Sequence, residues 1–209
     1  MLSELFNKAL LILDCAKIPE EEWTFGGGTA LSLYFHHRES KDIDIFLTEA
    51  QYLPFLSPRL NEVARGIVDD YTEASNFVKL RFPEGEIDFV VAPYLTKDYC
   101  QIMEINGRKV RLETPEEIIV KKLFYRAENL KIRDIVDITI VYRERKTKLK
   151  QYFLLIYPKI KIIEHRWDKL KKKYFEDIGK IKIFNKSLIE QVPLLFNQFL
   201  EDLRQMSQM

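Results

Sequence analysis

The sequence is poor in the residues that form covalent or metal cross-links. It has two cysteines and three histidines among 209 residues. Neither Cys15 nor Cys100 belongs to a C-x-x-C pair or to a Cys/His spacing, which argues against a zinc site or a disulfide framework and is typical of a reducing cytoplasm. We expect both cysteines to be buried as small hydrophobic residues. His36 and His37 lack a third ligand at metal spacing, so the capping of a helix end is their favoured role.

Long hydrophobic runs are missing as well. No stretch approaches the roughly 20 apolar residues that cross a bilayer. Residues 1–6 form an amphipathic start rather than a signal peptide. The sequence therefore predicts a cytoplasmic protein without a membrane partner. Because 46% of the residues are hydrophobic and 31% are charged, the chain can bury a core, and a disordered or fibrous class is excluded.

Net charge is nearly absent, at +1, but the charges are unevenly distributed. Residues 143–186, here called the basic segment, hold 15 Lys and Arg against 5 Asp and Glu, whereas residues 1–142 hold 17 against 24. Lysines with interleaved aromatic residues suit an RNA backbone and base stacking. A solvated helix face whose aromatics pack on the domain is an equal alternative. The aromatic residues of the segment are Tyr152, Phe153, Tyr157, Trp167, Tyr174, Phe175 and Phe184.

Glycine is scarce, with seven residues, yet three of them are consecutive at positions 26–28. Residues 23–25 have the pattern of a short strand, and residues 29–36 are compatible with a helix. Free backbone N–H groups at a helix N-terminus favour phosphate oxygens, so these glycines are candidates for phosphate binding. Alone, such a turn is a weak signal because glycine often marks only a tight turn.

Two aspartates follow the glycines after a helix-length spacing. Asp42 and Asp44 alternate with aliphatic residues over 42–47, so both carboxylates point to one face of a predicted strand. Carboxylates together with substrate phosphates are the ligands that Mg²⁺ prefers. Asp88 shows the same alternation on a later strand, where it could supply a third carboxylate and the general base for an attacking hydroxyl. A solvent-facing strand residue is the alternative for Asp88.

The order of the patterns predicts an α/β (α+β) protein with a helical C-terminal region. We place the domain boundary at residue 113, with an α/β domain at 1–113 and a helical domain at 114–209 that contains the basic segment. Predicted strands lie at 43–47, 67–73, 77–82 and 86–92, with a hairpin over 100–112 that turns at Asn106-Gly107. Predicted helices lie at about 2–17, 53–66 with breaks at Pro54 and Pro58, 114–129, from 133, 146–176 with a break at Pro158, and 187–206.

Two blocks of sequence resemble the AbiEii-type nucleotidyltransferases, the toxins of type IV toxin–antitoxin and abortive-infection systems. The first block joins the glycine run 25–31 to the run 37–46, which contains His37-Arg38-Glu39-Ser40-Lys41-Asp42-Ile43-Asp44. The second block is the run 113–123 followed by Ile132-Arg133-Asp134-Ile135-Val136-Asp137, which is similar to the helical lysine and R-D-x-x-D motifs of the family. The resemblance covers residues 23–142.

The resemblance implies a nucleotidyltransferase fold of the DNA polymerase β superfamily, with a twisted mixed sheet and flanking helices. It also implies roles for site residues. Gly27, Gly28 and Thr29 would hold the triphosphate. Asp42 and Asp44 would ligate Mg²⁺ or Mn²⁺, and Asp88, from its strand pattern, stays the candidate for the third metal ligand.

Further residues of the two blocks are carried over in the same way. Ser40 would bind the nucleotide, and Arg38 would steady the phosphates or pair with a carboxylate. Neighbours on a helix point about 100° apart, so only one of Lys121 and Lys122 should face the site, and Lys122 is favoured as the catalytic lysine. Asp134 and Asp137 lie three residues apart on one helix face, where they could orient that lysine or contact the nucleotide.

The leading functional hypothesis is a Mg²⁺-dependent transfer of a nucleoside monophosphate from a nucleoside triphosphate to an acceptor hydroxyl. The resemblance implies an RNA acceptor such as transfer RNA, bound through the basic segment, and a toxin whose antitoxin is encoded separately. Two alternatives stay open. One is a non-catalytic module that binds nucleotide or nucleic acid, and the other is an enzyme that modifies a protein.

Overall fold

The computed structural model describes residues 4–206, which form two compact units. The first unit comprises residues 4–30, 40–94 and 98–114, and the second comprises 31–39, 95–97 and 115–206. Each unit is therefore assembled from separate stretches of chain. The domain boundary that we placed at residue 113 stays a prediction.

A seven-stranded mixed sheet forms the centre of the first unit. Its strands lie in the order β3-β4-β5-β2-β1-β7-β6. The β2–β5 and β1–β7 pairs are parallel, and the other neighbours are antiparallel. The α/β class and the mixed sheet are thus confirmed. The strands are β1 (Trp23–Gly26), β2 (Ile43–Leu47), β3 (Asp70–Ala74), β4 (Phe77–Phe82), β5 (Gly85–Val91), β6 (Cys100–Ile105) and β7 (Arg108–Glu113).

One face of the sheet carries the core of this unit. Strand β2 buries every second side chain, as the aliphatic alternation predicts. Helix α1 (Glu4–Cys15) contributes Leu5, Phe6 and Ala9, none of which is exposed to solvent. A 3₁₀ helix at Ala50–Leu56 and helix α3 (Glu62–Ile67) follow β2, where the sequence predicted a helical stretch over 53–66 broken by Pro54 and Pro58. The predicted break at Pro58 is confirmed, since residues 57–61 are not helical, whereas Pro54 lies within the 3₁₀ helix.

The hairpin between β6 and β7 follows the chemistry of its turn. Asn106 and Gly107 have φ values of +51° and +79°. This pair of positive values is typical of the type I′ turn, whose twist matches that of the flanking strands. The predicted turn is therefore confirmed.

The second unit is helical and is built around buried aromatic residues. Trp167, Phe196 and Phe199 are at most 2% exposed. Helix α5 (Ile132–Lys150) is kinked by non-helical backbone at Arg145, with φ of −131° and ψ of 25°. The predicted start of a new helical stretch near residue 146 is therefore confirmed, but that stretch ends at Lys150 instead of continuing to Pro158. Helix α2 (Gly27–Phe35) begins in the first unit and ends in the second. The remaining helices are α4 (Pro115–Arg126), α5 (Ile132–Lys150), α6 (Phe153–Ile156), α7 (Ile160–Leu170), α8 (Tyr174–Ile178) and α9 (Ser187–Gln205), with 3₁₀ turns at Ala127–Asn129, Tyr157–Lys159 and Lys171–Lys173.

The cysteines do not behave as predicted. Cys15 is exposed at the end of α1, and Cys100 is half-buried at the start of the edge strand β6. Both positions end or begin an element, where burial by neighbours is incomplete. Both cysteines are free thiols. Over residues 4–206, no helix combines the length and the apolar character that a membrane span requires.

Candidate functional site

Two aspartates of the first unit lie side by side on neighbouring strands. Asp44 of β2 pairs in register with Asp88 of the parallel strand β5. Directly paired residues on adjacent strands project to the same face, so the two carboxylates share the face opposite the aliphatic core. Asp42 lies just before β2, and its Oδ1 accepts the backbone N–H of Glu86 at 3.2 Å. The three predicted carboxylates thus belong to one unit and lie on, or directly before, the adjacent inner strands β2 and β5.

The glycine turn lies against Asp44. Gly26 pairs with Asp44 across β1 and β2, and Gly27 begins α2 with φ of +70°. A Cβ at Gly27 would lie 1.8 Å from Asp44 Oδ2, and a Cβ at Gly26 would lie 2.6 Å from a ring carbon of Phe46. Only glycine therefore permits this close approach of the helix start to the carboxylate.

We expect Gly27→Ala to lose stability and function together. The alanine would have to adopt an unfavourable positive φ and would displace the Asp44 carboxylate. The cost should be about 1–3 kcal/mol, measured by urea unfolding. Gly66→Ala is the matched control, because a Cβ there meets nothing within 4 Å and the residue lies in α3. That control should be neutral or stabilising, and an equal loss in both variants would contradict the account.

The first turn of α2 is tied to the carboxylate segment. Thr29 is buried, and its hydroxyl donates to the backbone oxygen of Asp42 at 2.5 Å. Gly28 is also buried, and Ser40 is half-buried in the loop before β2. The hydroxyl of Thr29 thus fixes the spacing between the glycine turn and the aspartates, while its predicted triphosphate contact stays a prediction.

The carboxylates fit a hard divalent cation as a partial ligand set. Asp88 Oδ1 is buried and has no hydrogen-bond partner within residues 4–206. Burial raises the pKa of Asp88, and Lys79 offsets this only in part. No group of three or more His, Cys, Asp or Glu side chains in the described chain is arranged to hold a metal ion. A pair of carboxylates completed by substrate phosphates is the donor set that Mg²⁺ commonly uses.

Residues outside the predicted set also border this face. Lys79 of β4 lies opposite Asp88 in register, and its Nζ lies 2.8 Å from Asp88 Oδ2 and 2.6 Å from Glu86 Oε2. Glu113, at the end of β7, is fully buried and accepts the hydroxyl of Thr24 at 2.9 Å. The alternation of β4 and its short turn into β5 could have revealed Lys79. No local sequence pattern indicates that Glu113 is buried beside this face.

A second group of charges lies entirely within the helical unit and centres on Asp137. This residue is fully buried in α5. Its Oδ1 accepts from His37 Nε2 at 2.8 Å and from Arg38 Nε at 2.7 Å, while its Oδ2 accepts from Arg38 Nη2 at 2.8 Å and from Lys122 Nζ at 2.5 Å. Arg38 therefore pairs with a carboxylate, one of the two roles left open by the sequence. His37 does not cap a helix end as predicted, because its ring is buried against Asp137.

Lys122 connects two carboxylates in this group. Its Nζ lies 3.0 Å from Asp134 and 2.5 Å from Asp137. Burial alone would lower the pKa of Lys122, but the two carboxylates raise it above its usual value. Burial would likewise raise the pKa of Asp137, yet Lys122 and Arg38 hold it well below its usual range. Lys121 lies instead 3.5 Å from Glu117, also buried.

Residues 182–184, at the end of the basic segment, contact residues 36–39, the stretch that contains His37 and Arg38. Ile183 forms a β-bridge with Arg38, and the N–H of Glu39 donates to the oxygen of Lys182 at 2.8 Å. The ring of Phe184 stacks on His36 with centroids 4.3 Å apart. This pairing joins residues about 145 positions apart, and sequence reasoning did not find it.

The aromatic residues of the basic segment divide into two groups. Phe153, Trp167 and Tyr174 are buried, and the indole N–H of Trp167 donates to Asn197 at 2.8 Å. These rings pack in the core, so they are not available to stack on bases. Phe175 remains 73% exposed. The exposed lysines of the segment are Lys146, Lys148, Lys161, Lys169, Lys171, Lys172, Lys173, Lys180, Lys182 and Lys186.

Solved structures with a similar fold include JHP933 from Helicobacter pylori. It is 17% identical, with a TM-score of 0.52 over 100% of this chain and 97% of that chain. The antibiotic-resistance factor ANT(2'')-Ia is 18% identical, with a TM-score of 0.53 over 82% and 96% of the two chains. Its complex with adenylyl-2''-tobramycin gives the same identity and TM-score over 74% and 94%. At these identities, the likeness shows the fold alone.

Comparison by sequence identifies the family. No curated protein matches this chain. A family model described as "Nucleotidyl transferase AbiEii toxin, Type IV TA system" matches residues 11–207, which is nearly the whole length. The chain therefore belongs to the AbiEii family of nucleotidyl transferase toxins, and the resemblance and the enzyme class predicted from its two motif blocks are confirmed.

Proposed function

We propose that this protein transfers a nucleoside monophosphate from a nucleoside triphosphate to a hydroxyl group of RNA. The acceptor oxygen forms a bond to the α-phosphorus, the bond to the bridging oxygen breaks, and pyrophosphate leaves. The observation that carries the proposal is the register pairing of Asp44 with Asp88 beside the glycine turn, in a chain of the AbiEii family. A turn selected only for tight folding would not need a carboxylate packed against it.

The proposed cofactor is Mg²⁺ or Mn²⁺, with Asp44 and Asp88 as the carboxylate pair that holds it and Asp42 as a further proposed ligand. Such an ion neutralises negative charge on the phosphate oxygens. The buried and unpartnered Oδ1 of Asp88 supports this assignment within the described residues. Asp88 would also take the proton of the acceptor hydroxyl, and its half-buried carboxylate with a raised pKa suits a proton acceptor.

The triphosphate is proposed to lie at the start of α2. Gly27 and Gly28 bring backbone N–H groups to a helix N-terminus, where phosphate is favoured. Thr29 and Ser40 are proposed to border it.

The buried charge cluster of the helical unit is proposed to orient its own members. The contacts among Arg38, Lys122, Asp134 and Asp137 support this role. The proposed catalytic role of Lys122 depends on that arrangement. Lys121 keeps its proposed nucleotide contact as the alternative lysine.

The basic segment is proposed to bind the RNA backbone. Its exposed lysines, rather than its aromatics, three of which are buried, support this role. Replacing Lys171, Lys172 and Lys173 together with Gln should reduce the slope of log affinity against log salt by about 2, since each single-strand phosphate contact contributes about 0.7. Binding would be measured by fluorescence anisotropy on labelled RNA at several salt concentrations.

A matched control variant distinguishes the loss of lysines in the basic segment from a general loss of positive charge. Replacement of Lys17, Lys97 and Lys109 with Gln removes the same charge at exposed positions outside the basic segment. This control should keep the wild-type slope. Equal slopes for both triple variants, or binding that salt does not weaken, would contradict the proposed RNA contact.

The acceptor and the nucleotide are found by labelling. The purified protein is incubated with Mg²⁺, total bacterial RNA and each α-labelled nucleoside triphosphate in turn. Label on RNA from one triphosphate supports the proposal. Label on protein would indicate protein modification, and triphosphate binding without label would indicate the non-catalytic module.

Cellular toxicity is the last part of the proposal. The family is one of toxins of type IV toxin–antitoxin systems, which implies a separately encoded antitoxin. Expression of the wild-type chain should slow bacterial growth, and a transfer-deficient variant should not.

A further inference from the structure

One ammonium group already lies among the carboxylates of the first unit. Lys79 Nζ contacts Asp88 Oδ2 at 2.8 Å and Glu86 Oε2 at 2.6 Å. All three residues belong to the β4–β5 hairpin, where Lys79 pairs in register with Asp88. A single lysine thus links a proposed metal ligand to an acidic residue two positions away.

The two oxygens of Asp88 have unequal surroundings. Oδ2 accepts the ammonium, whereas Oδ1 is buried and lacks a hydrogen-bond partner within residues 4–206. Asp44 lies beside Asp88 in register, and the pKa of Asp88 is raised first by burial and then, to a lesser extent, by the negative charges of Glu86 and Asp42. Negative charges so close together are unfavourable unless a cation compensates them. Lys79 supplies such a charge.

Glu86 gives this lysine a second place to bind. Its side chain is 37% exposed, compared with 20% for Asp88, and it lies on the same strand face two residues earlier. An ordinary cross-strand ion pair involves one carboxylate. Here the ammonium could leave Asp88 and remain paired with Glu86, at a shorter distance than its present contact with Asp88.

We propose that Lys79 is a positioning residue that acts as the resident counter-cation of the carboxylate site. It holds Asp88 while no divalent cation is bound, and it stays with Glu86 alone when a divalent cation binds Asp88. Lys79 therefore weakens the binding of the free cation and keeps the acidic face folded without it. This inference rests on the proposed function, because it takes Asp42, Asp44 and Asp88 as the cation site.

The test measures Mn²⁺ binding to the full chain without nucleotide, by electron paramagnetic resonance of free Mn²⁺. We expect K79M to bind Mn²⁺ about tenfold more tightly than wild type, since a positive charge a few ångströms away opposes a second cation. K79R keeps the charge and should stay close to wild type. Arg59→Met is the matched control. It also removes a cation from an ion pair, because Arg59 Nε lies 2.7 Å from Glu73 Oε1, and Glu73 belongs to β3.

A second arm tests the role of Glu86. E86Q should weaken Mn²⁺ binding about threefold in the wild-type background, because Lys79 would then remain on Asp88. The same change should matter less in the K79M background, which a double-mutant cycle measures as a coupling between the two residues. Equal weakening in both backgrounds would overturn the transfer of Lys79 to Glu86.

Failure of the inference and failure of the proposed function give different results. Wild-type binding that D44N abolishes, with K79M unchanged or weaker, would overturn the counter-cation role and leave the cation site standing. Absence of Mn²⁺ binding in the wild type and in K79M alike, both without nucleotide and after addition of a non-hydrolysable nucleoside triphosphate, would overturn the site and the inference together. Tighter binding by K79M alone, with R59M and K79R unchanged, supports the inference.

Discussion

Asp44→Asn is expected to abolish nucleotidyl transfer while the protein stays folded. Loss of residues that only support a metal ligand already costs about 10–100-fold, so loss of a ligand itself should exceed about 100-fold. Stability should not fall, because Asp44 and Asp88 are like charges paired in register and the substitution removes their repulsion. Transfer of α-label and the thermal unfolding midpoint would be measured on the same preparation.

The control for this variant is another aspartate of the sheet. Asp70 of β3 is exposed and pairs with Arg81 at 2.9 Å. Asp70→Asn should retain wild-type transfer. Full transfer by D44N would show that the paired carboxylates are not the reaction site, and a large fall in its unfolding midpoint would show that its activity loss reflects misfolding.

Asp137→Asn is expected to cause the largest loss of stability. The substitution removes the one carboxylate shared by His37, Arg38 and Lys122, breaks the buried Arg38–Asp137 ion pair and leaves Lys122 with Asp134 as its remaining carboxylate partner in the cluster. Breaking a buried ion pair in this way typically costs about 3–5 kcal/mol. Urea unfolding followed by circular dichroism would measure the loss.

A surface aspartate of the same unit provides the comparison. Asp168 lies in α7 and is exposed to solvent. It pairs with Lys171 in the 3₁₀ turn that follows α7. Asp168→Asn should leave the urea midpoint unchanged, because exposed ion pairs contribute little. A wild-type midpoint for D137N would contradict the role of Asp137 as the shared partner of the cluster.

The acid dependence of stability gives an independent check of the cluster. The pKa values of Asp134 and Asp137 are lowered in the fold, mainly because Lys122 overcomes the effect of burial. A lowered pKa stabilises the protein above the unfolded pKa of about 3.9, and this stability is lost as pH falls toward the folded value. The free energy of unfolding of the wild type should therefore decline below about pH 4. The free energy of unfolding of D137N should decline less over the same pH range.

Local patterns were sufficient to predict the acidic face. The aliphatic alternation predicted a strand with the bounds 43–47, which are those of β2, and it placed Asp44 on the face opposite the buried residues. The β6–β7 turn also followed from two residues that tolerate positive φ. Such features depend on neighbours in sequence, which is why the sequence alone reveals them.

Pairings between distant residues could not be predicted in the same way. His37 and Asp137 lie 100 positions apart, and the spacing of each along its own element gives no sign of the other. Lys79 is an intermediate case. Counting back across the short turn between β4 and β5 places it opposite Asp88, so the contact was accessible once the hairpin register was known.

The position of the transferred label tests the central claim most directly. The protein would be incubated with Mg²⁺, RNA and one nucleoside triphosphate labelled at either the α- or the γ-phosphate. Nucleotidyl transfer predicts that the acceptor gains the α-label and that the γ-label leaves as pyrophosphate. Gain of the γ-label, or of neither label under conditions where triphosphate binds, would contradict it.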